Sequence, residues 1–194
     1  MKKLDGVKIG FAVTGSFCTF EKAKEAAKLL KAEGAIITPV FSFNAATMNT
    51  RFGNCKTHIE DFEKICGNPP ILSIEYAEPI GPQKLFDILI IAPCTSNTAA
   101  KIALGITDTP VTMAAKSHVR NDRPVLVAMS TNDALSASAK NIGMLLANRN
   151  YYFVPLSQDD TEKKPRSCVA DFSKLTDAAI FALEGKQIQP IIFS

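Results

Sequence analysis

Four short clusters of hydroxyl and amide side chains, each placed directly after an apolar run, are the residues of this sequence best suited to hold a polar ligand. The clearest is Ile88-Leu89-Ile90-Ile91-Ala92-Pro93-Cys94-Thr95-Ser96-Asn97-Thr98, where a continuous apolar run gives way to hydroxyls and an amide just before the helical stretch Ala99 to Leu104. Thr14, Gly15 and Ser16 stand in the same relation to the run Lys8 to Val13 and to a helix expected from Cys18 to Glu33. Ser42 and Asn44 follow the run Ala35 to Phe41, and Ser130, Thr131, Asn132 and Asp133 follow Pro124 to Met129. The chemistry this predicts is anion binding: the first N–H groups of a helix have no partner within it, and its dipole favours negative charge there. Gly15 allows a tight turn and a close backbone approach to the ligand. Taken singly, each cluster reads equally as an ordinary helix cap; four in equivalent positions point to a shared ligand.

The elements that must position these residues follow from the same pattern. Apolar runs without polar alternation are strands buried on both faces, as in parallel sheets covered by helices. Further elements are expected as a helix from Thr57 to Cys66, a short strand from Ile71 to Ile74, helices from Thr109 to Ser117 and Ala134 to Ala147, and a strand from Tyr151 to Pro155. A charged loop from Gln158 to Ser167 and a closing helix from Phe172 to Leu183 complete the chain. Strand and helix alternate, which predicts a doubly wound α/β domain spanning residues 1–194, with right-handed crossovers bringing the four polar loops to one rim. The dinucleotide fingerprint G-x-G-x-x-G is missing after the first strand, where Phe17, Cys18 and Phe20 follow Gly15, so a mononucleotide fits better than NAD.

Composition narrows the function further. With 194 residues and 46% hydrophobic content the chain can bury a full core. Its 22 basic and 19 acidic residues nearly balance, and no basic tract exceeds Lys163-Lys164, so neither nucleic acid nor an anionic membrane surface is the expected partner. No secretory or membrane-spanning segment is apparent, which predicts a cytoplasmic protein. Five cysteines without C-x-x-C spacing and two isolated histidines suggest neither a disulfide framework nor a metal site. Cys94, at the head of a helix, reads either as a thiol of lowered pKa or as a small packing residue.

The motifs Val13-Thr14-Gly15-Ser16, Ala92-Pro93-Cys94-Thr95-Ser96-Asn97-Thr98 with Ala100 to Asp108, and Met129-Ser130-Thr131-Asn132 resemble the flavoprotein family of homo-oligomeric flavin-containing cysteine decarboxylases and flavin prenyltransferases. The resemblance spans nearly the whole chain. It is strongest to a branch marked by Asn49-Thr50-Arg51-Phe52-Gly53, Met113 to Lys116, Arg120 to Pro124, Ser130 to Leu135, and Gln158 to Asp160 with Lys163 to Pro165. It implies a Rossmann-like or flavodoxin-like three-layer sandwich binding FMN at subunit contacts of a trimer or larger assembly. Gly15 and Ser16 would then meet the phosphate or ribityl chain, with Thr14 beside them. Ser42 and Asn44 would take the phosphate side, Thr95, Ser96, Asn97 and Thr98 the ribityl chain and ring, and Met129, Ser130 and Thr131 the ring edge. Decarboxylases of the family carry a catalytic His where this chain has Ile74-Glu75-Tyr76-Ala77, and Pro-x-Met-Asn-x-x-Met-Trp where it has Val127 to Leu135. Cysteine decarboxylation is therefore not expected, and flavin-modifying transfer lacks matched residues.

The branch implies instead oxidation of a cyclic dihydro- or hydroxytetrahydropyridine dicarboxylate to the aromatic diacid, in the mother cell during sporulation. It also implies a partner subunit carrying an NAD(P)-type domain, so the chain could equally be a cofactor-binding or regulatory subunit. Such an oxidation needs cations for two carboxylates and a base for the departing proton. Arg51 is the first carboxylate candidate because its guanidinium offers a planar fork. Lys163, Lys164 and Arg166 are further candidates in a loop able to close over the rim, or else parts of a solvated charged loop. His58 is a candidate base, with a surface helix histidine as the plain alternative. The apolar tail Pro190 to Phe193 suits either a subunit contact or a core-packed terminal strand.

Overall fold

The computed structural model of the protein describes residues 2–193. Its centre is a parallel sheet of β1 (Lys8–Val13), β2 (Ile36–Phe41), β3 (Ile88–Cys94) and β4 (Val125–Thr131), in the order β2-β1-β3-β4. β5 (Tyr151–Phe153) adds in parallel to the first half of β4. Every residue of β1 after Lys8 is buried, as is the whole of β3, which is why these strands read as unbroken apolar runs.

α1 (Phe20–Ala32), preceded by a 3-10 turn at Phe17–Thr19, turns Ala23, Ala26, Ala27 and Leu30 inward. Beyond β2, α2 (Phe43–Thr47) and α3 (Cys55–Cys66) follow, then the single turn α4 (Ile74–Ala77). α5 (Ser96–Ala103), α6 (Pro110–Val119), α7 (Ala139–Ala147) and α8 (Leu175–Leu183) complete the helices. Two apolar clusters result, one on each face of the sheet, the larger built on Phe11, Phe20, Phe41 and Phe62 and the other on Leu89, Ile91, Val127 and Phe153. Gly10 lies where the Phe86 ring crosses β1: a Cβ there would overlap that ring, so only glycine lets the strand and ring meet.

Four elements differ from the sequence expectations. The stretch Gln158 to Ser167 is a hairpin: β6 (Leu156–Asp160) and β7 (Lys164–Ala170) pair antiparallel, and β7 pairs antiparallel with the end of β4. The sheet is thus mixed at one side. Asp160 Oδ1 accepts from the N–H groups of Glu162 and Lys163 and so closes the turn that its charges had disguised as a loop. The strand expected at Ile71 to Ile74 shrinks to one bridge, Val40 to Ile71, because Ser73 opens α4 directly afterwards. The helix expected from Ala134 begins only at Ala139, since Asp133 gathers residues 133–138 into turns by accepting from Ser136 N, Ser138 N and the Ser138 hydroxyl. The polar loop after β2 contains α2, capped by Ser42. The C-terminal tail follows β6, Leu156 N donating to Ile191 O at 2.9 Å and Phe193 N to Leu156 O at 3.3 Å. No helix among the described residues is long and apolar enough to cross a membrane.

Candidate functional site

The carboxyl ends of β1, β2, β3 and β4 meet at one rim, and their hydroxyls brace one another. Thr14, fully buried, donates from Oγ1 to Pro93 O at 2.7 Å and accepts from Thr95 N at 2.9 Å, tying the β1 loop to the β3 loop. Ser16 Oγ and Ser130 Oγ lie 2.8 Å apart, tying the β1 loop to the end of β4. Ser167 of β7 donates to Thr131 O at 3.2 Å, which brings the hairpin into the same network. Within the β3 loop, Thr95 Oγ1 caps α5 by accepting from Thr98 N. Among the described residues the N–H groups of Ser96 and Asn97 have no intrachain partner, so the start of α5 presents free donors.

Two chambers open along this rim. The smaller, about 350 Å³, is lined by Gly15, Ser42, Asn44, Thr95, Asn97 and Thr98 of the expected ligand loops, with Phe17, Phe43, Met48, Thr109 and the ion-paired Lys101 and Asp108 as its other walls. The larger, about 720 Å³, is lined by Gly15, Ser16, Thr95, Ser96, Ser130 and Thr131, with Arg51 of the turn before α3 and Lys164 of β7 also in its lining. Gly15, Phe17 and Thr95 border both. A Cβ on Gly15 would reach 3.6 Å from the Phe17 ring and 3.7 Å from Asn44 Cβ, so the bare glycine leaves the backbone accessible where the two chambers adjoin. Both volumes fall in the range of about 300–1,000 Å³ common for small-molecule sites.

Other expected residues lie away from the chambers. Thr14 and Met129 are wholly buried and act as braces and packing rather than as walls. Lys163 and Arg166 are exposed on the hairpin and line neither chamber. His58 is not on the surface: it is 4% exposed, stacked edge-on to Phe20 at 4.9 Å, with its Nε2 directly beneath Gly53. Neither ring nitrogen has a hydrogen-bond partner among the described residues, and desolvation followed by the nearby Lys24 charge pushes its pKa down. Cys94 is wholly buried and burial pushes its thiol up to about 12, which fits the packing residue of the two readings rather than a thiol of lowered pKa.

Sequence reasoning missed Phe17, Lys22 and Asp159 as walls, and it marked Asp133 only as the end of the polar cluster after β4. Phe17 and Lys22, five residues apart across the start of α1, line the larger chamber, and neither was among the expected ligand residues. Asp133 lines the larger chamber, its carboxyl held below the usual range by the Thr131 hydroxyl first, then by those of Ser138 and Ser96, against desolvation. Asp159 lines it from β6, hidden in a stretch that looked like a loop. The available signal was the position of Asp133, two residues past the β4 hydroxyls.

The comparisons with known proteins agree with this geometry. The chain is 43% identical over 192 residues to the dipicolinate synthase B-subunit of Bacillus subtilis, covering 99% of this chain and 96% of that one. The crystal structure of the dipicolinate synthase B-subunit from Bacillus halodurans superposes with a TM-score of 0.90 at 39% identity, over 98% of both chains. At 18% identity, Burkholderia xenovorans DmrB, solved in complex with FMN as a cubic protein cage for redox transfer, shares the fold with a TM-score of 0.65 over 89% of this chain and 93% of its own. The model of the flavoprotein family matches residues 1–177, and the chain belongs to that family.

Proposed function

We propose that the protein binds FMN along the two chambers and serves as the flavin-bearing subunit of a dipicolinate synthase, working with that enzyme's A-subunit to oxidise dihydrodipicolinate, or its hydroxytetrahydro precursor, during sporulation. The observation that carries this is the cross-braced rim: three hydroxyl loops locked to one another beside two chambers that share Gly15 and Thr95 in their lining. In this reading the smaller chamber takes the phosphate and ribityl chain, with Ser42, Asn44, Asn97, Thr98 and the free α5 N–H groups as donors. Thr95, Ser96, Ser130 and Thr131 border the ring in the larger chamber, over Thr14 and Met129. Bound there, a flavin supplies the capacity to accept a hydride.

The chain's own residues do the rest. Arg51, whose guanidinium lies 4.9 Å over the Phe52 ring, offers a fork to one substrate carboxylate. Lys164 offers a charge to the other, while Lys163 and Arg166 add to the positive potential of the hairpin. His58, buried beneath Gly53, supports the turn that carries Arg51 and so positions that cation. A homo-trimer or larger assembly is proposed with it, as is a cytoplasmic location in the mother cell.

One observation favours a narrower role. The carboxylates facing the larger chamber are Asp133 and Asp159, and both are engaged by neighbouring donors, Thr131 and Lys164 among them. With no free base at the cleft among the described residues, turnover needs the partner, and any nicotinamide chemistry belongs to that protein. The purified chain should bind added FMN and show its absorption spectrum. The double variant with Ser16→Phe and Asn97→Phe should not, and should fail to support dihydrodipicolinate oxidation together with the A-subunit. A wild-type chain that takes up no FMN overturns the reading.

A further inference from the structure

Three cations on three separate elements face the larger chamber: Lys22 on α1, Arg51 on the turn after α2, and Lys164 on the hairpin. Their states differ. Among the described residues Lys22 and Arg51 have no carboxylate partner, whereas Lys164 Nζ is held by Asp159 Oδ2 at 2.8 Å across the hairpin. Both members of that pair are well exposed, with 55% and 37% of their side chains open to solvent, and ion pairs in such settings contribute little net free energy. Asp133, the other carboxylate of the chamber, is held by hydroxyls and forms no ion pair with any of the three, so the lining carries three cations against two carboxylates.

We propose that these three cations make the chamber selective for a ligand with two carboxylates, with Lys22 as a specificity-determining residue and Asp159 as an internal competitor that holds Lys164 until a ligand carboxylate displaces it. The proposal rests on the reading of the chamber as a substrate site, but the roles of Lys22 and Asp159 follow from the placement of charges alone. A monoanion can satisfy the unpaired Lys22 and Arg51 without disturbing the hairpin. A second carboxylate gains Lys164 at the small cost of its exposed pair with Asp159. Removing the Asp159 charge while keeping its shape should therefore strengthen, not weaken, binding of the dianion.

Calorimetric titration of the full chain tests this, with FMN present and with FMN omitted, using pyridine-2,6-dicarboxylate, pyridine-2-carboxylate and inorganic phosphate as probes. The diacid should bind about tenfold more tightly than the monoacid and than phosphate, the scale of one charge-assisted contact. Lys22→Gln and Lys164→Gln should each remove most of that preference. Asp159→Asn should tighten the diacid several-fold, and that gain should vanish when Lys164→Gln is added, an outcome a merely structural hairpin pair would not produce. Diacid binding that is absent, no tighter than monoacid or phosphate, or weakened or unmoved by Asp159→Asn in a chain that melts normally overturns the proposal. Absent FMN binding with the diacid preference intact counts against the flavin reading alone.

Discussion

The two sides of the larger chamber are built on opposite principles. On the sheet side, Thr14, Thr95, Ser16 and Ser130 are fixed by hydrogen bonds across three strand ends, the central one wholly buried. On the hairpin side, Lys164 and Asp159 meet in solvent, and Lys163 and Arg166 lie outside the chamber's lining. A buried hydroxyl with two partners is costly to disturb because each partner would be left unsatisfied in a low dielectric. An exposed ion pair is cheap to exchange. The wall expected to hold the cofactor is therefore preformed, and the wall that offers charges is adaptable.

The sharpest way to break this contrast is Thr14→Val, which keeps the shape, strands Thr95 N and leaves Pro93 O only its 3.3 Å bond from Thr14 N. It should cost about 1–3 kcal/mol of unfolding free energy, the scale of one buried group left bare, measured by denaturant titration. A loss below about 1 kcal/mol would show that the sheet side is not pinned as described. Acid offers a second lever, of comparable size, on the scaffold alone, since neither histidine lies in the hairpin. Burial first, and Arg123, hold His118 down from 6.5 to about 4, against its hydrogen bond with Pro124 O. Because the unfolded chain takes up that proton first, stability should be full above about pH 6.5 and fall by about 1.4 kcal/mol per unit toward about pH 4. His118→Asn should flatten that slope in thermal melts across the same range.

A kinetic prediction sharpens the comparison next. Cys18 is the one exposed thiol of five and lies in the larger chamber between the two sides. It alone should react rapidly with a thiol reagent in the native protein, and FMN should slow it; fast modification of a second cysteine would mean the sheet side opens. The smallest effect is expected from Lys163→Gln, at the turn of the hairpin and outside both chambers, which should leave melting unmoved and weaken diacid binding by less than about twofold.

The same contrast explains what the sequence disclosed. The sheet side was legible because its signals are local: apolar runs ending in Thr14-Gly15-Ser16 or Thr95-Ser96-Asn97-Thr98, and a handedness rule that sends such ends to one rim. The hairpin was not, because Gln158 to Lys164 is polar and charged throughout, and the hairpin joins the sheet only through Cys168 and Val169, which pair with the end of β4, a partner distant in sequence. His58 was misread for a different reason. Its spacing of four from Phe62 and eight from Cys66 puts it on the buried stripe of α3, a pattern present in the sequence but outweighed by the expectation that histidine seeks water.

The tail that runs beside Leu156 carries a last consequence. β6 is the outermost strand on its side, and a bare outermost strand invites stacking onto another chain. Ile191 and Phe193 occupy its first backbone groups, Lys174 resting 4.7 Å above the Phe193 ring, while the acidic residues beyond repel a newcomer. The last few residues thus act as a hem on the sheet, and cutting before Pro190 should show itself as precipitation long before it shows itself as lost chemistry.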